Sequence, residues 1–363
     1  MHCAFSICER RDSPLADIVL GIGCAHTPQL HTPAVQWDIR AQRDMADGVP
    51  LWYRGERLTY AEVEAKRRQE DIARQTSLDI REARLAHSAR ALDRLAEIFA
   101  GVAPDVAVLF GNDQNELYLD DVKPAFTIMG ATAFENRPRS DAQKNRLPPG
   151  IALSDGGHLP DEGSVTMPGH PALAEHITAH CTKHGFDVAF SARQITPDPE
   201  RANTSGMPHA YGFVYKQVFR SAAVPHVPVD TNTFFPPNQP PAIRCLAFGR
   251  AVGEAIRCWE SDARVAVIAS GGLSHFVVDE VFDRDILDAM ARNDFEHLLS
   301  YHEGYYQAGS SEIKSWIAAG GAMQGAGLTG EIIDYQPLYR TCLLYTSPSP
   351  RDSTLDLVCR LLL

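Results

Sequence analysis

Short unbroken apolar runs recur along the chain, each closed by small or polar turn residues, and longer segments with helical spacing lie between them. The clearest runs are Ile18 to Gly23, Val106 to Phe110 and Val265 to Ala269. Each predicts a short buried strand. Their exits are Cys24-Ala-His26-Thr-Pro28, Gly111-Asn-Asp-Gln114 and Ser270-Gly-Gly-Leu-Ser-His275. Ligands of open α/β sheets bind beyond the carboxyl ends of the strands, so three neighbouring strands would deliver these residues to one cleft.

The intervening segments predict helices. Thr59-Tyr-Ala-Glu62 is a capping box, and the stretch 61–100, rich in Ala, Arg, Glu and Leu, predicts helix in two pieces broken near Thr76-Ser77. Leu92, Leu95, Ala96 and Phe99 give its second piece one buried face, and Gly101 and Pro104 end it. Gly169-His170-Pro171 predicts a helix running to about His184, and a longer one spans Ala242 to Trp259. Further strands are expected within Lys123–Met129, Val188–Phe190 and Pro225–Val229. Thr32–Pro50 reads as loop, and the polar, Pro- and Gly-rich stretch Phe134–Gly157 as a surface excursion near the cleft mouth.

Alternation of strands and helices predicts an α/β fold: one domain, 17–340, with a central parallel or mixed sheet flanked by helices and a helical insert at about 59–101 after the first strand. Residues 1–16 lack a clear pattern and read as a leader or a misassigned start. Residues 341–363 read as a non-native tail, because Cys342-Leu-Leu-Tyr-Thr-Ser-Pro-Ser-Pro-Arg-Asp-Ser353 resembles a translated sequencing-adapter string.

Composition narrows the partners. The chain has 363 residues, 44% apolar and 22% charged, which suits a folded protein with a sizeable core. A formal charge of −12 argues against nucleic acid or an anionic membrane as partner. No apolar run approaches the roughly 20 residues of a membrane span. The N-terminus lacks the basic start and apolar region of a signal peptide, and the eight cysteines form no C-x-x-C pair, so reduced thiols and a cytoplasmic location are expected. A homo-oligomer, as a dimer, is the expected assembly.

The strand exits contribute His26, the Asn112-Asp113-Gln114 group and His275. Glu312 opens a helical segment running to Trp316. Two imidazoles and a carboxylate around one cleft are the ligand chemistry of a non-haem iron site. Simpler readings stand beside this one. A histidine after a strand is often only hydrogen-bonded; His31 reads as a surface residue or a spare ligand; His170 starts its helix; Asp113 caps a turn. His158, His176, His180 and His184 include i, i+4 spacings but no carboxylate at the right place, and read as a solvated face. Trp52, Tyr53 and Arg54 either close over an aromatic acid or form an exposed turn.

In order along the chain, Gly23-Cys-Ala-His26-Thr-Pro28, Gly111-Asn-Asp113-Gln114, Gly169-His170-Pro171, Met207-Pro-His209, Thr231-Asn-Thr233 with Pro236-Pro237, Gly271-Gly-Leu-Ser-His275 and Ser311-Glu312 to Trp316 resemble the type III extradiol ring-cleaving dioxygenases. The resemblance covers about residues 17–339, and the insert and Gly-Asn-Asp-Gln form look closest to the 3-O-methylgallate dioxygenase branch. It implies iron(II), O2 and a catecholic aromatic acid of the 3-O-methylgallate, gallate or protocatechuate type, such as arises in lignin degradation. It also implies that His26 and Glu312 are metal ligands, that His275 is an acid/base beside the metal, and that His209 is a second active-site histidine near substrate and oxygen. Gln114 stands where protocatechuate 4,5-dioxygenase has its second histidine ligand. An amide oxygen is a poorer donor to iron(II) than imidazole. Gln114 therefore serves as the ligand, or Asp113 or Glu116 moves in, or metal affinity falls. A binding or scaffold protein of the same fold with altered metal, and a zinc hydrolase using the same cleft, are the competing readings.

Overall fold

A computed structural model describes residues 14–45, 50–202 and 204–341. Strand β1 (Asp17–Cys24) is followed by helix α1 (Trp37–Asp44), the hairpin β2 (Leu51–Tyr53) and β3 (Glu56–Leu58), and helices α2 (Tyr60–Lys66), α3 (Ile72–Gln75) and α4 (Leu78–Val102). Next come β4 (Val106–Gly111), β5 (Phe126–Met129), β6 (Ala133–Asn136), α5 (Asp141–Arg146), β7 (Val165–Pro168), α6 (Pro171–Lys183) and β8 (Ala189–Ser191). The chain continues through α7 (His209–Phe213), β9 (His226–Thr231), α8 (Ala242–Arg257), β10 (Arg264–Ser270), α9 (Glu280–Ala291), α10 (Phe295–Leu298) and α11 (Ile313–Met323).

Six strands form the central sheet in the order β1-β10-β4-β9-β5-β8. The first four are parallel, β5 runs antiparallel to β9, and β8 runs parallel to β5. The sheet is thus mixed, and the three strands picked out by their apolar runs are neighbours. Both of its faces are covered, which is why those runs do not alternate with polar residues. Val265, Val267, Val106 and Val108 face a core completed by α6, α8, α9 and α11; Ala266, Ile268, Ala107 and Leu109 face a second core completed by α4 and α7.

Local signals explain several element boundaries. Thr59 and Glu62 form the expected capping box at α2, and His170 Nδ1 caps α6 by accepting the Leu173 N–H at 3.2 Å. The insert breaks at Thr76-Ser77 as expected, with α3 as an additional short piece before the break.

Two expectations need correction. Thr32–Pro50 contains α1, whose Trp37 is buried against Ala34 and Leu338 and donates its indole N–H to the Thr32 carbonyl at 2.9 Å. A helix anchored by one large apolar residue carries little periodicity to read. Phe134–Gly157 is not a plain surface excursion: β6 pairs with β7, Phe134 is fully buried, and Asn136, Arg139, Gln143 and Ser154 are buried too. Its polar residues are internally bonded, as when Asn136 Nδ2 donates to the His158 carbonyl at 2.8 Å and Ser140 and Gln143 cap α5. Polar composition therefore concealed a wall of the cleft.

Leu15 bridges Glu260 and the Ala16 N–H donates to the Trp259 carbonyl, so the end of the expected leader already docks on the domain. Residues 1–13 and 342–363, most of the expected leader and tail, lie outside the described residues. Among the described residues the cysteines 24, 181, 245 and 258 form no disulfide, and no helix is long and apolar enough to cross a membrane.

Helix α11, which begins directly after Glu312, packs on α8 at backbone contact. A Cβ on Gly249 would fall on the Ala318 carbonyl oxygen, and one on Gly253 on that of Ala322. Backbone cannot retreat as a side-chain tip can. Gly249→Ala is therefore expected to destabilise the fold by about 1–3 kcal/mol in denaturant unfolding; an unchanged midpoint would show that the two helices have room to part.

Candidate functional site

The carboxyl ends of β1, β10 and β4 open into a cleft of about 290 Å³, lined by His26, His31, Gln114, Glu116, His158, His209, His275 and Glu312 among others. The chain brings all five expected site residues here. His26 lies two residues beyond β1, Gln114 three beyond β4, and His275 five beyond β10. His209 is the first residue of α7, and Glu312 sits where a 3-10 turn (Ala308–Glu312) runs into α11.

Glu312 is the hub. Its Oε2 accepts the Gly272 N–H at 2.6 Å, lies 3.1 Å from His26 Nε2, and is 3.7 Å from His275 Nε2. Its Oε1 accepts from Gln114 Nε2 at 3.1 Å and Asn112 Nδ2 at 3.3 Å. Burial works against this charge, yet the His26 and His275 rings attract it strongly enough to hold the carboxyl well below its ordinary range. Gly272 is needed for that approach, because a Cβ there would strike the His275 ring.

Each histidine is oriented through Nδ1. His26 Nδ1 bonds Ser270 Oγ at 2.9 Å, and His275 Nδ1 donates to the Leu273 carbonyl at 2.8 Å. His209 Nδ1 donates to Glu116 Oε2 at 2.7 Å, while the His209 backbone N–H donates to Glu116 Oε1 at 2.9 Å. All three rings thus turn Nε2 toward Glu312, and His209 Nε2 lies 3.1 Å from His26 Nε2. Burial disfavours charge on both rings. It prevails at His26, whose pKa is lowered, whereas at His209 the Glu116 carboxylate outweighs it and the pKa is raised. Ligand atoms of His26, His209 and Glu312 all lie within 4.8 Å of one another. Two imidazoles with lone pairs converging on a carboxylate, each held from behind by a hydrogen bond, fit a divalent transition metal.

The alternatives around Gln114 separate here. Asp113 is a turn cap: its Oδ1 accepts from the Glu116 and Leu117 N–H groups and its Oδ2 from Tyr118. Burial, then the Glu116 charge, pushes it up to about 7. Glu116 is turned to His209. Gln114 presents its amide nitrogen to Glu312.

Other expectations shift. His31 lies in the cleft wall against Phe213, and burial, helped by Lys216 and Arg220, pushes its pKa down to about 4, so it is neutral. His158 is not on the α6 face; it is buried in the cleft, 6.1 Å edge-on to His209. Trp52, Tyr53 and Arg54 do not line the cleft. Arg54 instead pairs with Asp279 at 2.5 Å, tying the β2–β3 hairpin to the start of α9. Sequence reasoning missed Ser270, Arg139 and the anchoring role of Glu116; Asp113-x-x-Glu116 shows a turn, but nothing in the sequence connects it with His209.

A family model described as the catalytic LigB subunit of aromatic ring-opening dioxygenase matches residues 86–342, well over half of the chain. The chain is also similar to a "2,3-dihydroxyphenylpropionate/2,3-dihydroxicinnamic acid 1,2-dioxygenase" of Rhodococcus sp, 25% identical over 292 residues that take in 65% of this chain and 82% of that protein. Its namesake from Rhodococcus jostii (strain RHA1) is 24% identical over the same shares.

Because the Glu116 charge raises the His209 pKa, Glu116→Gln is expected to lower it in the metal-free protein. The histidine Cε1–H titration followed by NMR reads this directly, and an unmoved His209 midpoint would mean that the pair does not persist in solution.

Proposed function

Since the chain belongs to the family of catalytic LigB subunits of aromatic ring-opening dioxygenases, we propose that it is an iron(II)-dependent extradiol dioxygenase that opens a catecholic aromatic acid with O2. The observation that carries this reading is the convergence of His26, His209 and Glu312 beside His275. His26, His209 and Glu312 would hold the iron. Gln114 steadies the Glu312 carboxylate instead of taking the histidine's place at the metal, which the hydrogen bond from its amide nitrogen supports. Iron(II), when bound, would supply Lewis acidity and redox capacity for the reaction of a catecholic ring with O2.

The protein's own groups do the rest. With Nδ1 fixed on Leu273, His275 offers Nε2 to a catechol hydroxyl, takes its proton, and returns a proton to product oxygen. Phe213 and Phe276 give the cleft apolar surface for a ring, and Arg40 gives a carboxylate its counter-charge, Arg139 being paired with Asp155 at 2.5 Å. The substrates to test first are 3-O-methylgallate, gallate and protocatechuate, with 2,3-dihydroxyphenylpropionate added because the curated relatives are named for it. Bound iron with oxygen uptake on one of these supports the reading; folded protein that binds no iron and consumes no oxygen contradicts it.

Three variants test the assignment of roles. His275→Phe is expected to lower kcat by about 10²–10⁴ while iron remains bound; loss of iron would make His275 a ligand. In anaerobic iron(II) titrations, His209→Ala should weaken binding beyond the roughly 10- to 100-fold typical of outer-shell changes, and Gln114→Ala should stay within that range. The reverse order would return the third position to Gln114.

A further inference from the structure

Helices α6 and α8 pack side by side, and their shared surface joins three groups that the ring-opening site does not use. His180 lies in the last turn of α6, His184 is its C-cap residue, and Glu254 comes from α8. The sequence shows the i, i+4 histidine pair but not the carboxylate, which arrives from 70 residues away through packing. Ligand atoms of the three residues lie within 4.8 Å of one another. The histidine rings are stacked with centroids 4.1 Å apart.

We propose that His180, His184 and Glu254 form a second metal site, for a divalent transition cation of the Zn2+ class, separate from the ring-opening centre and independent of its assignment. His180 Nε2 is buried and has no hydrogen-bond partner, although Glu254 Oε2 is 3.6 Å away. That separation is too long for a hydrogen bond but close to the roughly 3.3 Å between two donors held about 2.0 Å from a tetrahedral ion. His184 Nδ1 donates to the His180 carbonyl at 2.8 Å, which leaves Nε2 as its lone-pair nitrogen. A ring nitrogen tied to a backbone carbonyl is the usual outer-shell support of a metal-bound histidine.

The electrostatic setting favours a cation. The α6 C-terminus presents the negative end of a 13-residue helix. Arg257, one turn beyond Glu254, sends its guanidinium to the Ala322 carbonyl at 3.1 Å instead of to Glu254. Two imidazoles and one carboxylate select zinc, nickel, cobalt or copper over calcium or magnesium, which prefer oxygen donors. Three protein ligands leave a position for water, and the ion would bridge α6 to α8.

The test is a Zn2+ titration of the full chain, followed by calorimetry and by metal content after gel filtration. The wild type is expected to bind one equivalent more than His184→Ala and Glu254→Gln, both of which retain the ring-opening residues. Zn2+ should raise the thermal midpoint of the wild type by more than that of either variant. Cleft occupancy cancels in this comparison, so the result does not depend on the proposed activity. Equal stoichiometry in all three proteins, with the variants folded by circular dichroism, would overturn the proposal and leave His180 and Glu254 as an ordinary cross-helix pair.

Discussion

A buried carboxylate must be compensated from every side, and Glu312 is where this protein meets that demand. Backbone, amide and imidazole groups from three strand exits all turn to it: Gly272 after β10, Asn112 and Gln114 after β4, and His26 after β1. The arrangement can exist only if β1, β10 and β4 are neighbours in parallel, because only then do their carboxyl ends open at one edge. Sheet order and site chemistry are thus one constraint seen at two scales.

Holding Glu312 in place is largely a matter of helix packing. The residue precedes α11, and α11 meets α8 at backbone contact through Gly249 and Gly253. On the other side, the loop carrying His275 is fixed by Asp283 of α9, which accepts from the Ser274 N–H at 2.7 Å and its hydroxyl at 2.9 Å. Burial keeps Asp283 well above its ordinary carboxyl range. The rigid first layer of the site therefore rests on a second layer of small residues and buried polar bonds.

Sequence reasoning reached the parts of this design that are local. Apolar runs ending in Gly-Gly or Gly-Asn-Asp marked the strand exits, because strand and turn each leave their own residue pattern. Thr59-x-x-Glu62 and Gly-His170-Pro marked helix starts for the same reason. Polar residues whose partners are distant in sequence left no such mark. Glu116 reads in sequence as a replacement for Gln114 at the metal although it orients a histidine 93 residues away, His158 reads as solvated although it is buried in the cleft, and Glu254 has no sequence signal that matches it to His180. Phe134–Gly157 looked like surface because internal hydrogen bonding lets a wall be polar. Resemblance identified Gln114 as the unusual position, but its contacts follow from tertiary geometry.

In the proposed centre, the amide at position 114 supports a ligand instead of binding the metal, and His209, backed by Glu116, provides the second imidazole. The most direct measurement is an anomalous difference map at the iron edge from crystals loaded anaerobically with iron(II). The expected result is one peak in the cleft bonded to His26 Nε2, His209 Nε2 and the Glu312 carboxylate. A peak bonded to Gln114 with His209 outside bonding distance, or no iron in the cleft, would contradict the account.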